Sequence, residues 1–308
     1  MDLNMLLASF ELAHPIMMNA GGTCKDEDGV EELAISGADA IVLGSVTIDA
    51  RDGNDGTVFW SDDAFTFSLN SIGLKNPGMP YYLPRLPGMM KIAHDNGKIF
   101  IVNVAGFTAE EYAVLTEMAL EGGADIVEQN WGCPNVWAGG TQKPITSYDP
   151  NLVAEVLTRT EERVGSSINL AGKVSPLEPF LLNKLAATVS GFESVKAITA
   201  VNTFPNAMAY DEAGNPRITP GGGLAGFAGA AYLPIAVGQV RQWRNALPDR
   251  IAVIGVGGIQ SGECMNQHFL AGAGAVQIGT FFYGGDHYDY WLLRELKKEY
   301  RALQDARK

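Results

Sequence analysis

Short apolar runs that end in polar or glycine residues recur along the chain, at 15–19, 40–43, 99–104, 125–130, 169–174, 197–202, 251–256 and 275–278. They lack clean alternation of apolar and polar positions, as expected of strands buried on both faces of a parallel sheet. Amphipathic stretches of helical length lie between most of them, at 109–121, 150–163, 231–246 and 262–271, and another at 288–303 follows the last run. Eight strand–helix units in one direction predict an α/β fold, the (β/α)8 TIM barrel. A doubly wound open sheet is the competing architecture. The barrel is preferred because eight units fill residues 1–308 as one domain, with no remainder for a second.

Two connections are too long to be simple loops, 45–97 after the second strand and 203–230 after the sixth. Long loops in compact domains are commonly functional. Both are expected at the C-terminal face of the barrel, where barrel enzymes keep their active sites, as lid or substrate-wall segments.

Composition then narrows the chemistry. The 308 residues include 36 glycines, well above the usual share of about 7%, with no collagen-like period. In a chain with an ordinary apolar content, that excess suggests tight turns and backbone brought close to a ligand. A net charge of -13 argues against a nucleic-acid or anionic-membrane surface, so any phosphate is expected to be held by local backbone amides. The three cysteines, Cys24, Cys133 and Cys264, are widely spaced and form no CxxC pair, which speaks against a disulfide framework, a zinc finger or an iron–sulfur cluster. His14, His94, His268 and His287 show no metal-ligand spacing, and no metal is expected. With no signal peptide and no membrane span in the sequence, the expected location is the cytoplasm.

Candidate chemistry gathers at the strand ends. Gly257-Gly258 follows the seventh strand and Gly279-Thr280 the eighth, the place where barrels of this class build a phosphate site, and Gly221-Gly222-Gly223 offers a third segment. The ligand is either a phosphorylated substrate or the phosphate of a flavin. The first strand ends in Asn19-Ala20-Gly21-Gly22, the fourth in Asn130, the fifth near Lys173 and the sixth in Asn202-Thr203. A ring of amides with one lysine suits a planar heterocycle better than a charge-dense metal centre. A lysine inside a buried strand is either a structural ion pair or a cation facing an anionic ring.

The most specific segment is Asn130-Trp131-Gly132-Cys133-Pro134-Asn135. With residues 15–22, 70–74, 103–106, 172–174, 201–203, 222–226, 255–258 and 277–280, in that order and spacing, it resembles the class 1 dihydroorotate dehydrogenases from about residue 1 to 300. The resemblance implies an enzyme with FMN as cofactor that oxidises dihydroorotate to orotate in pyrimidine biosynthesis. It implies that Cys133 is the catalytic base and that Lys173 stabilises the reduced ring. By the same resemblance Ala20, Gly21, Ser45, Asn103, Asn130, Lys173, Asn202, Gly222, Gly223, Gly257, Gly258, Gly279 and Thr280 hold the flavin. Asn70, Ile72, Gly73, Leu74, Asn130, Asn135, Asn202 and Thr203 line the pyrimidine site.

Two positions depart from the family pattern. A lysine is expected where Gly44 stands, immediately before Ser45, and a small apolar residue and a serine where Trp131-Gly132 stands. Lys25 and Arg51 are the candidates for the missing charge, and Trp137 adds an aromatic to the loop beyond the cysteine. These departures keep open a related FMN-dependent enzyme acting on another cyclic amide or unsaturated substrate. A non-redox phosphate-binding barrel is the remaining alternative. The resemblance implies a homodimer with either of two electron acceptors: fumarate, or a partner subunit carrying FAD and an iron–sulfur cluster. Residues 101–106 and 222–226 look more like the partner-using type.

Overall fold

The computed structural model describes residues 17–64, 66–138, 140–282 and 289–307. Pro15, Ile16, His14 and His287, named above, lie outside them. Among the described residues, eight parallel strands close into a barrel in sequential order. They are β1 (Met17–Asn19), β2 (Ala40–Val46), β3 (Ile99–Val104), β4 (Ile126–Asn130), β5 (Leu170–Val174), β6 (Val195–Ala200), β7 (Ala252–Val256) and β8 (Ala275–Ile278). The ring closes where Met17 and Asn19 of β1 pair with Val276 and Ile278 of β8. After the strands come α1 (Glu27–Ile35), α2 (Leu86–Asp95), α3 (Ala109–Glu121), α4 (Pro150–Val164), α5 (Pro179–Ser190), α6 (Leu233–Ala246), α7 (Gly262–Ala271) and α8 (Leu292–Ala306). This is the (β/α)8 barrel that the pattern predicts.

Local chemistry marks the helix starts. The side chains of Asp26, Thr108, Asp149, Glu178 and Ser261 each accept a hydrogen bond from a first-turn amide, and Pro150 and Pro179 follow two of these caps. Such caps satisfy amides that the helix itself cannot pair. The apolar runs failed to alternate because both faces are buried, but the faces differ. Met18, Val42, Ile101, Ile126, Ala171, Ala197, Ile254 and Ala275 point inward and form one layer of the barrel interior. Outward residues such as Leu43, Val102, Val127 and Val276 pack on Leu33, Met89 and Leu115. The strand β6 starts at Val195, ahead of its apolar run, because Lys196 lies at the rim and its ammonium reaches the Glu193 carbonyl, 2.6 Å away.

The two long connections do more than extend the rim. Phe59–Ser61 and Ser68–Asn70 from the first pair antiparallel with Phe204–Ala207 and Ala225–Ala228 from the second, giving one four-stranded sheet. Its central register sets Asn70 opposite Gly226 and Ser68 opposite Ala228. Leu69, Ile218 and Ala225 form its buried centre, with Trp60, Phe67 and Phe227 packed around it. A two-stranded hairpin, Trp137–Ala138 with Thr141–Gln142, stands beside it, and the Trp137 indole donates to Ser71 Oγ at 3.2 Å. Trp137 therefore joins the loop after β4 to the sheet.

Candidate functional site

Two residues beyond the apolar inner layer, five of the eight strands turn a polar side chain inward. Asn103, Glu128, Lys173, Thr199 and Gln277 are all buried, Glu128 at 1% exposure. Glu128 Oε1 accepts from Asn103 Nδ2, and Oε2 accepts from Thr199 Oγ1 and Gln277 Nε2, each at 2.6 Å. Lys173 Nζ donates to Gln277 Oε1 at 3.1 Å. Burial lowers the Lys173 pKa, while the charges of Glu128 and Cys133 pull it back up. This relay answers the question the sequence left open: the lysine has a carboxylate partner through Gln277 and still faces the cavity above. Sequence reasoning missed Glu128, Thr199 and Gln277. The signal was available, since Glu128 is a carboxylate inside an apolar run and two positions before Asn130.

Above this floor lies a cavity of about 330 Å³. Of the expected flavin residues, Ala20, Gly21, Lys173, Asn202, Gly257, Gly258, Gly279 and Thr280 line it. Asn103 stands directly behind Gly21, where even a Cβ would press on its amide at 2.9 Å. Ser45 and Asn130 lie one layer down: Asn202 Nδ2 donates to Asn130 Oδ1 at 3.2 Å, and Asn130 Nδ2 to Ser45 Oγ at 3.1 Å. Gly222 and Gly223 do not reach the cavity. They sit in a turn at Pro220–Gly223, where a Cβ on Gly223 would meet Pro216 and Met208. Gly229, with φ +97°, lines the cavity instead, after the strand Ala225–Ala228. The displacement arises because the chain needs left-handed turns at both places, and only the second faces the barrel axis.

The expected pyrimidine residues divide into two groups. Asn70, Ile72, Asn202 and Thr203 line the large cavity. Leu74 and Asn130 line a small adjoining pocket of about 10 Å³ with Cys133, Tyr112 and Lys143. Asn135 Nδ2 donates to Asn70 Oδ1 at 2.8 Å and so ties the cysteine loop to the inserted sheet. Gly73 has φ +78° against Asn54, and its carbonyl accepts from Arg51 Nε at 3.2 Å. Burial pushes the Cys133 thiol up from its ordinary pKa, whereas the Asn135 amide, Lys143, Arg51 and Lys173 pull it down. Lys143 and Arg51 flank the Phe107 ring at 4.3 and 4.8 Å from its centroid. Both cations stand beside the pocket of the cysteine, and sequence reasoning had singled out only Arg51.

The departures have structural counterparts. Gly44 has φ +120°, and a Cβ there would overlap the Asn103 carbonyl oxygen, so this backbone admits no side chain at 44. A Cβ at Gly132 would come within 2.6 Å of the Ser175 amide, and the Ser175 hydroxyl donates to the Gly132 carbonyl at 2.9 Å. Trp131 is fully buried on the outer side of β5, where its indole covers the face of Gly172. That tryptophan belongs to the packing of the barrel on its helices, outside the large cavity, and also borders the small pocket of Cys133.

His268 supports the phosphate-type loop from behind: its Nε2 lies 3.0 Å from the Gly257 carbonyl, and its Nδ1 is buried without a partner among the described residues. Burial pushes its pKa from 6.5 down to about 4. Between those values the unfolded chain binds the proton more readily than the folded one. Stability is thus fully present above pH 6.5 and falls as the pH drops toward 4, by about 3 kcal/mol for this group. Urea unfolding at pH 7 and pH 4.5 should show the loss, and His268→Gln should flatten that interval; an equally steep slope in the variant would refute the assignment. Among the described residues no group of three or more His, Cys, Asp or Glu side chains is placed to hold a metal. No helix there is long and apolar enough to cross a membrane.

A glycine-edged cavity at the C-terminal ends of the strands, with an amide ring and a lysine at its floor, defines an α/β barrel built to take a planar, phosphate-bearing ligand. A family model described as dihydroorotate dehydrogenase matches residues 2–300. Dihydroorotate dehydrogenase A (fumarate) of Lactococcus lactis subsp. cremoris is 32% identical over 284 residues, covering 90% of this chain and 87% of the relative. Dihydroorotate dehydrogenase (fumarate) of Trypanosoma cruzi is 32% identical over 288 residues, covering 91% and 87%. The fold is shared with the crystal structure of DHODH from Eimeria tenella in complex with ferulenol, at a TM-score of 0.78 and 18% identity, covering 94% of this chain and 81% of that one. The chain belongs to the dihydroorotate dehydrogenase family.

FMN is the cofactor of this family, and the residues present fit it. Asn103 Oδ1 is a buried acceptor with no partner among the described residues, suited to a ring N–H, and Lys173 has donors to spare beyond Gln277. Gly257 and Gly258 have φ of +125° and +73° and line the cavity, in a turn where a Cβ would press on Ala236 or Leu233, so the backbone itself can approach a phosphate.

Proposed function

We propose that this chain oxidises dihydroorotate to orotate at FMN, with Cys133 as the base and fumarate as the electron acceptor. The observation that carries this is the family match over residues 2–300, on a chain that retains Cys133 and Lys173. FMN, held by the cavity residues described above, would supply the acceptor for the hydride that leaves C6 of dihydroorotate. The Cys133 thiolate takes the proton from C5, and the electron pair of that C–H bond becomes the C5=C6 double bond. Lys143, Arg51 and Lys173 all favour the thiolate over the thiol and offset part of the cost of its burial, which remains the larger effect. Lys173 presents a cation at the floor of the cavity, and Asn103 orients the ring. Asn70, Asn130, Asn135 and Asn202 offer donors and acceptors to the imide edge, with Thr203 beside them. Ile72, Gly73 and Leu74 bound the substrate on the sheet side.

The relatives described above carry fumarate in their names, and on that ground we favour fumarate over a partner subunit with FAD and an iron–sulfur cluster. A homodimer is part of the same proposal. Anaerobic titration of the FMN-loaded protein with dihydroorotate tests the first half-reaction. The flavin absorbance is expected to bleach stoichiometrically and to return on addition of fumarate. Bleaching without return would remove fumarate, and no bleaching would remove dihydroorotate as the substrate.

A further inference from the structure

Among the described residues lining the large cavity only two are charged, Lys25 and Lys173. Lys173 is already engaged with Gln277 and, through it, with Glu128. Lys25 is not engaged: among the described residues its ammonium makes no ion pair or hydrogen bond. An unpartnered cation at the wall of a cavity is costly unless an anion enters beside it. Dihydroorotate and orotate each carry one carboxylate, and among the described residues nothing else on this wall has an unengaged charge to meet it.

The backbone explains why the charge comes from position 25. Gly44 N donates to the Cys24 carbonyl at 2.9 Å, and Gly22 N donates to the Gly44 carbonyl, so the segment after β1 is stitched to the end of β2. Cys24 turns its thiol into the core around α1 and α8, and its chain neighbour Lys25 faces the cavity. The Tyr82 hydroxyl donates to the Lys25 carbonyl at 2.7 Å and fixes this stretch. A side chain at 44 would overlap the Asn103 carbonyl, so that strand end cannot supply a charge itself.

We infer that Lys25 binds the carboxylate of the substrate and selects for acidic pyrimidines over neutral ones. This rests on the dihydroorotate assignment above. The location favours the substrate carboxylate over the flavin phosphate. The segment that carries Lys25 is stitched to Gly44 at the end of β2, and Lys75, which directly follows the Ile72–Leu74 segment, is among the charges that act on it, whereas the glycine loops lie after β7 and β8. Burial and Lys75 lower the Lys25 pKa, with Asp26 opposing them only in part, and an incoming carboxylate would act in the same direction as Asp26.

The test is binding to the FMN-loaded protein, followed by perturbation of the flavin spectrum, with orotate and with uracil as its carboxylate-free counterpart. Lys25→Met is expected to raise the Kd for orotate by about 30-fold, as for loss of one charge-assisted hydrogen bond, with uracil and FMN affinities unchanged. Lys25→Arg is expected to recover most of the orotate affinity. Equal losses for orotate and uracil would make Lys25 merely structural and overturn the inference. Weakened FMN binding with unchanged orotate binding would assign the cation to the phosphate, and also overturn it. A wild-type protein that binds orotate and is bleached by dihydroorotate, paired with an indifferent Lys25→Met, would refute this inference alone. A wild type that does neither would refute the substrate assignment, and this inference with it.

Discussion

Cys133→Ala is expected to lower turnover of dihydroorotate by about 10²- to 10⁴-fold, the usual contribution of a positioned base, while FMN stays bound. The separation of the two effects follows from geometry. The thiol lies in the small pocket with Leu74 and Asn130, outside the walls of the large cavity. Three cations act on it, and burial opposes them. Turnover in the wild type is therefore expected to rise with pH along a limb that follows the thiol, because only the thiolate accepts the C5 proton. Cys133→Ser should retain weak activity with that limb moved to higher pH, since an alcohol gives up its proton less readily. Stopped-flow reduction of the flavin separates the proton-dependent step from product release. An alanine variant reduced at the wild-type rate would remove Cys133 from the mechanism.

Glu128→Ala is expected to destabilise the fold by about 3–5 kcal/mol, the range found when one member of a buried charged network is removed. Asn103, Thr199 and Gln277 all donate to this carboxylate at 2.6 Å, and each would be left facing a void. Lys173 would lose the negative charge that holds it protonated, with only the amide of Gln277 for company. An unpaired buried donor costs far more than a well-made bond returns, which is why one carboxylate carries so much. Glu128→Gln should cost less, because its oxygen still accepts while its amide group faces donors. Urea unfolding measures both, and a Glu128→Ala protein as stable as the wild type would refute the network. The same variant should bind FMN more weakly, since Asn103 and Lys173 both lose their anchor.

The barrel was legible in the sequence because its strands are buried on both faces, and an apolar run such as 99–104 has no other common cause in a chain of alternating units. The inward polar layer was hidden by the same property: Glu128 and Gln277 interrupt apolar runs without changing their period. Phosphate-type glycines at 257–258 and 279–280 could be placed because they follow strands directly. Gly229 could not be separated from Gly222 and Gly223, since glycine content reports left-handed turns and not the direction they face. Pairing between the two long connections was illegible for another reason. Segments of three or four residues are too short to show a period, and their partners lie more than 150 positions apart in the chain. The absence of a side chain at 44 was plain in the sequence, but its cause, the Asn103 carbonyl, belongs to the neighbouring strand.

That shared sheet makes the roof of the site a property of two separate repeats of the barrel. Ser68–Asn70 and Ala225–Ala228 are the central strands through which the two halves of the sheet join, and Asn70 and Ala228 both face the cavity. A fragment ending before the sixth unit could build several strands of the barrel and still have no substrate wall. Nor could either connection be shortened, or exchanged for that of a relative, without rewriting the other. The two must therefore change together, as do the two halves of a clasp, and the specificity of this enzyme is inherited as a pair.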